Sequence, residues 1–169
     1  MTSSDSPDDF PAPPRDFVDG EGRTVACRRL DSVEPLVEMY VAFDTADRAQ
    51  GIPPTEEAAI REWLDTVTDD KSLHVVAWDD GQAVGHAMLV DGGDAGHELA
   101  IFVTQAYQGA GVGTELLETT LGAAQQAGLE HIWLSVERWN RSAIALYRKV
   151  GFEHADSPSF EMKMELSLS

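Results

Sequence analysis

Residues 108–114 read QGAGVGT, three alternate glycines set between a strand-like apolar run at 99–103 and a helix-like one. In the second run Val112, Leu116, Leu117 and Leu121 recur at helical spacing. A loop so placed can aim its backbone N–H groups at an anion, and the first turn of the helix adds unpaired donors and the positive end of its dipole. With no Cβ at Gly109, Gly111 or Gly113, a diphosphate can come close to the main chain. The chemistry on offer is phosphate binding; the plain alternative is a simple strand-to-helix connection.

Two common glycine loops are excluded. A Walker loop ends in Gly-Lys-Ser/Thr, whereas Gly113 is followed by Thr114 and Glu115. A dinucleotide fingerprint needs G-x-G-x-x-G, but counting from Gly109 the last position is Thr114, and from Gly111 it is Leu116.

What fits is Gln-x-x-Gly-x-Gly, on Gln108, Gly111 and Gly113. A second pattern follows, because residues 134–153 read LSVERWNRSAIALYRKVGFE. Asn140 or Ser142 can cap a helix there; Ala143, Leu146, Tyr147 and Val150 share one face, and Gly151 is the expected left-handed stop. Tyr147 on that inner face is either a satisfied core tyrosine or a proton donor. Together, over residues 98–153, the two patterns resemble the GNAT superfamily of acyl-CoA-dependent N-acetyltransferases. The matching positions of the second are Asn140, Ala143, Leu146, Tyr147, Gly151 and Phe152.

The resemblance implies an α/β (α+β) fold, with a mixed, mostly antiparallel sheet of six to seven strands and helices on both faces. It implies acetyl-CoA as co-substrate, its diphosphate held at Gln108, Gly109, Ala110, Gly111, Val112, Gly113 and Thr114, with Asn140 nearby. The strands flanking the glycine-loop helix would splay, and the backbone of Phe102 and Val103 would hold the pantetheine arm. The acceptor is a primary amine, which must lose a proton before it attacks, since an alkylammonium has a pKa near 10.4. By resemblance Glu98 is the first choice of base; its other reading is an exposed edge carboxylate. His97 points to the opposite face of its strand, and Glu137 is held in reserve. Tyr147 is the expected acid for the departing thiolate, the role its spacing to Gly151 and Phe152 favours. The acceptor can be a small molecule, a peptide N-terminus or a protein lysine, and the run HELAIFV at 97–103 is similar to that of Pat-type lysine acetyltransferases. A non-catalytic acetyl-CoA-binding regulator would keep Gln108, Gly111 and Gly113 without needing Tyr147 or Glu98. Homodimers are common in the superfamily.

Composition sets the outer bounds. A chain of 169 residues is one domain by length, expected over 23–169, and the acidic, proline-rich start at 1–22 reads as a disordered tail rather than a secretory signal. Cys27 is the single cysteine, so no internal disulfide or cysteine zinc site can form, consistent with a cytoplasmic protein. His74, His86, His131 and His154 show no ligand spacing, so no metal is expected. Thirty acidic residues against twelve basic ones give a net charge of −18, which argues against nucleic acid and anionic lipid as partners. No run approaches the length of a membrane span. Only Lys71, Lys149 and Lys163 are lysines, and such a surface resembles proteins of salt-loving archaea. Coenzyme A is itself polyanionic, so its site must rely on local donors. Arg138, Arg141, Arg148 and Lys149 fall close to Asn140, where they either face the nucleotide or are simply solvated.

The elements that must position these groups follow from patterning. A strand over 24–30 precedes a helix opened by a capping box of Asp31 and Glu34 and running to about residue 49; Thr55 then caps a second helix with Ala59, Ile60, Trp63, Leu64 and Val67 inward. Strands at 73–78 and 83–90 flank a hairpin turn, and a third spans 97–104. The glycine loop, a helix to about 127, a strand at 132–137, a helix to 150 and two closing strands complete the order β-α-α-β-β-β-α-β-α-β-β.

Overall fold

The computed structural model describes residues 10–43, 53–93, 96–155 and 161–168. Its strands are β1 (Arg15–Val18), β2 (Thr24–Arg29), β3 (Leu73–Asp79), β4 (Gln82–Asp91), β5 (His97–Val103), β6 (His131–Glu137), β7 (Glu153–Ala155) and β8 (Glu161–Ser167). The helices are α1 (Glu34–Val41), α2 (Glu57–Val67), α3 (Val112–Gln126) and α4 (Arg141–Val150). All eight strands form one sheet in the order β1-β2-β3-β4-β5-β6-β8-β7. The β3–β4 turn uses the positive-φ pair Asp80 and Gly81, the mirror-image turn whose twist suits a hairpin.

Side chains alternate across the strands and build two cores. On one face Val75, Ala87, Leu99, Leu134 and Met164 pack with Leu116, Leu117 and Leu121 of α3 and Ile144 of α4. On the other, Val76, Met88 and Phe102 pack with Leu36 and Tyr40 of α1 and Ile60 and Leu64 of α2. The second core carries a directional polar chain. The Val67 carbonyl can only accept, so His74 donates to it from Nε2 at 2.9 Å. His74 Nδ1 must then accept from His86 Nε2 at 2.9 Å, and His86 Nδ1 from the Tyr40 hydroxyl at 2.6 Å. Burial lowers the pKa of both histidines, which favours the neutral forms this chain requires.

Four expectations are corrected. The sheet has eight strands rather than six or seven, because β1, within the stretch read as a tail, pairs antiparallel with β2 from Arg15↔Cys27 to Val18↔Thr24. Only four residues long, β1 gains its structure from that partner rather than from its own pattern. Two more concern helix starts. Val33, not Asp31, is the N-cap of α1, which carries Pro35 in its first turn, and Glu56, not Thr55, caps α2; neither side chain bonds the helix. The first helix ends at Val41 with Ala42 as its C-cap, short of the expected residue 49; residues 44–49 of that expectation lie outside the described residues.

The segment before β1 lies along α3. Phe10 N–H donates to Gln125 Oε1 at 2.8 Å, while Arg15 reaches Thr119 Oγ1 at 3.1 Å and Glu115 Oε1 at 2.9 Å. Gly122, in mid-helix, lets Pro11 cross: a Cβ there would stand 2.2 Å from the Pro11 carbonyl oxygen. Gly122→Ala therefore sets a gain of about 1 kcal/mol in helix propensity against a backbone overlap that costs about 1–3 kcal/mol to relieve. The expected net result is a lower urea midpoint; a higher one would show that residues 10–12 are not seated on the helix.

Candidate functional site

The glycine loop leaves β5 through a single 3-10 turn, Gln105–Tyr107. Gln108 turns back, its Nε2 donating to the Val103 carbonyl at 2.9 Å, so it shapes the loop. Gly109 and Gly111 both sit at positive φ, 74° and 88°, and Gly111 is the N-cap of α3 with no side-chain cap. The first amide to re-enter the helical ladder is that of Glu115, bonded to the Gly111 carbonyl at 3.2 Å. Among the described residues nothing accepts from the amides of Gly109, Ala110, Gly111, Val112, Gly113 or Thr114. A Cβ on Gly109 or Gly111 would meet only open space, so the loop is uncrowded at both glycines. Six unpaired donors at the N-terminus of a 15-residue helix suit a diphosphate.

Beside this cradle the sheet opens. β5 and β6 pair in parallel only at His97↔Ile132 and Glu98↔Trp133, and beyond those rungs the strands part. The register with β4 decides which β5 groups face the opening. Thr104 N–H bonds the Val84 carbonyl at 3.0 Å, which makes this a hydrogen-bonded pair and, by alternation, makes Phe102 opposite His86 one too. Phe102 thus spends its backbone on β4 and its ring among Tyr40, Phe43 and Trp63. The backbone groups turned to the opening are those of Ile101 and Val103, the Val103 carbonyl already taken by Gln108. Of the two residues expected to hold an extended arm, only Val103 presents a free group, its N–H.

α4 closes the far side. Asn140 Oδ1 accepts from Ala143 N–H at 3.3 Å as the N-cap, which leaves only its amide nitrogen for a ligand, and Gly151 ends the helix at φ 124°. Leu146 comes within 3.8 Å of where a Gly113 Cβ would lie, so α4 abuts the loop. Tyr147 stacks edge-on against Phe152 at 5.8 Å, and burial pushes its hydroxyl up to about 12. No described residue bonds that hydroxyl. The residue is half-buried, so solvent can serve that hydroxyl.

Glu98 lies on the opposite side of the sheet from Tyr147. It shares a face with Ala100 and Phe102, which belong to the α1–α2 core, but is itself solvent-exposed, whereas Tyr147 packs on the α3 side. Partial loss of water and the neighbouring charge of Glu161 raise the Glu98 carboxyl above its ordinary value. The alternatives are engaged elsewhere: His97 Nε2 donates to the Lys71 carbonyl at 3.0 Å, and Glu137 accepts from the Trp139 indole. Arg141, Arg148 and Lys149 are solvent-exposed.

The β1–β2 turn, which the sequence reading passed over, touches the loop from behind. Gly20 N–H donates to the Ala110 carbonyl at 2.8 Å and Arg23 Nη1 to the Ala106 carbonyl at 3.1 Å. Its one sequence signal is the turn composition of DGEG at 19–22.

A parallel pair that splays beside a helix-capping glycine cradle places the fold among the N-acetyltransferase folds. The chain belongs to the acetyltransferase (GNAT) family, whose model matches residues 36–152. It is 32% identical over 97 residues to an uncharacterized N-acetyltransferase of Mycobacterium bovis, covering 57% of this chain and 62% of that one. It thus spans 62% of the length of the first curated relatives it matches. Among solved structures it resembles the GNAT domain of S. lividans PAT, with a TM-score of 0.80 at 20% identity over 90% of this chain and 96% of that one. A putative acetyltransferase from Salmonella typhimurium, solved with its cofactor acetyl-CoA, superposes with a TM-score of 0.70 at 18% identity over 86% of this chain and 94% of that one.

Proposed function

We propose that the protein transfers an acetyl group from acetyl-CoA to a primary amine. The observation that carries this is the row of unpaired amides at residues 109–114 opening beside the β5–β6 gap. Acetyl-CoA would supply an activated thioester, its diphosphate on those amides and its arm along Ile101 and Val103. Glu98 takes the proton of the incoming ammonium, directly or through water, on the α1–α2 face. The freed amine attacks the thioester carbonyl carbon, the C–S bond breaks, and Tyr147 gives its hydroxyl proton to the departing sulfur on the α4 face; the second proton that the attacking nitrogen sheds restores Tyr147 through solvent. Base and acid on opposite sides of an open seam let the amine enter from one side while the thiol leaves by the other.

The raised Glu98 carboxyl sets the pH behaviour. The carboxylate is the working form, so the rate should fall as pH drops through a pKa above the usual range near 4.3. Glu98→Gln should abolish that acidic limb; a limb left in place removes Glu98 from the mechanism. With its pKa about 12, Tyr147 stays protonated throughout the assay range and contributes no basic limb.

Thiol release from acetyl-CoA against small amines, peptide N-termini and lysine peptides, in low and high salt, tests the assignment. Binding of acetyl-CoA with no release for any amine would favour a regulator. Thirty acidic against twelve basic residues support a salt-rich working environment, and the single Cys27 a cytoplasmic one; activity retained at molar salt is the expected result.

A further inference from the structure

The turn between β1 and β2 is more tightly built than a hairpin connection needs to be. The Asp19 carboxylate, with only 7% of the residue exposed, accepts from the N–H groups of Glu21 at 3.0 Å and Arg23 at 2.9 Å. It also holds Arg23 Nε at 2.8 Å. The Arg23 guanidinium lies 3.9 Å over the Tyr107 ring, and the Tyr107 hydroxyl donates to Asp79 Oδ2 at 2.5 Å. This rigid assembly directs two donors at the glycine loop: Arg23 Nη1 on the Ala106 carbonyl and the Gly20 N–H on the Ala110 carbonyl.

A trans peptide is planar, with C=O and N–H on opposite sides. Drawing the Ala110 carbonyl toward Gly20 therefore turns the Gly111 N–H the other way, away from the hairpin. A carbonyl facing inward would repel an anion, and a loop free to flip its peptides would lose part of its binding energy to ordering.

We propose that the β1–β2 turn is a positioning clamp in which Gly20, held by Asp19 and Arg23, fixes the Ala110 carbonyl outward and so presets the Gly111 amide for a diphosphate, while Arg23 pins the 3-10 turn that leads into the loop at the Ala106 carbonyl. Gly20 is tight against the same carbonyl, since a Cβ there would lie 3.3 Å from the Ala110 oxygen. The clamp spans 83 residues of sequence between Arg23 and Ala106. It makes the N-terminal hairpin part of coenzyme recognition without its touching the acetyl group.

This inference rests on the loop being the diphosphate cradle, and the test separates the two. Calorimetric dissociation constants are measured for CoA and, by competition, for pantetheine, which lacks the diphosphate. Arg23→Gln and Asp19→Asn should each weaken CoA about tenfold and leave pantetheine unchanged. Equal weakening of both probes would mean general damage and overturn the clamp, as would unaltered CoA affinity. Gly111→Val is run alongside: if it leaves CoA affinity intact, the cradle reading itself fails. If it weakens CoA while the turn variants do not, the clamp alone fails. Should Asp19→Asn not fold, Arg23→Gln decides, because its side chain is partly exposed.

Discussion

Tyr147→Phe should lower kcat by about 10²-fold or more while the dissociation constant for acetyl-CoA stays within about twofold. The two effects separate because the ring and the hydroxyl do different work. The ring packs edge-on against Phe152 and on the α3-side core, and phenylalanine keeps that packing. The hydroxyl has no partner among the described residues, so removing it breaks no internal bond and should leave the thermal midpoint unchanged or slightly raised. A loss of turnover without loss of stability or coenzyme affinity is what a proton donor predicts. Steady-state rates with calorimetry on the same preparation check it, and an unaltered kcat would exclude Tyr147 as the acid.

The second large effect is expected at Gly111→Val. With φ at 88°, this position lies in the left-handed region, where a side chain costs roughly 1–2 kcal/mol and a β-branched one more. No described atom lies within 4 Å of the new Cβ, so the folding penalty is backbone strain alone. In the open space beside the loop amides, however, the isopropyl group would compete with phosphate oxygens. Losing one charge-assisted hydrogen bond of about 1.5–3 kcal/mol lowers affinity roughly 10- to 100-fold. Urea unfolding should show the first effect and CoA calorimetry the second. A destabilised variant that binds CoA normally would move the diphosphate elsewhere.

Much of the loop and helix geometry at the candidate site could be read from the chain because its parts are local. The spacing of Gln108, Gly111 and Gly113 between an apolar strand and a helix identifies the loop, and Asn140 and Gly151 mark the two ends of α4. What escaped depends on partners distant in sequence. Phe102 and Val103 look equivalent in the run HELAIFV, and only the pairing of Thr104 with Val84 reveals which one turns its peptide toward the gap. In β1 the four residues RDFV carry too little pattern to outweigh the prolines before them, yet β2 supplies the ladder that orders them. The Gly20–Ala110 and Arg23–Ala106 bonds join segments that no short-range rule connects. Likewise, Asp31 and Glu34 have capping-box spacing, but the helix starts behind Val33 with Pro35 in its first turn.

The sheet is bordered by its shortest members, four residues in β1 and three in β7. Unpaired rims invite foreign chains to add a strand, and brief rims offer them few rungs. Trimming the protein to begin at residue 23 would strip one such guard and bare the six-residue β2, with Val25 and Cys27 in its interior-facing row. A shortened version should therefore self-associate and precipitate more readily than the full chain.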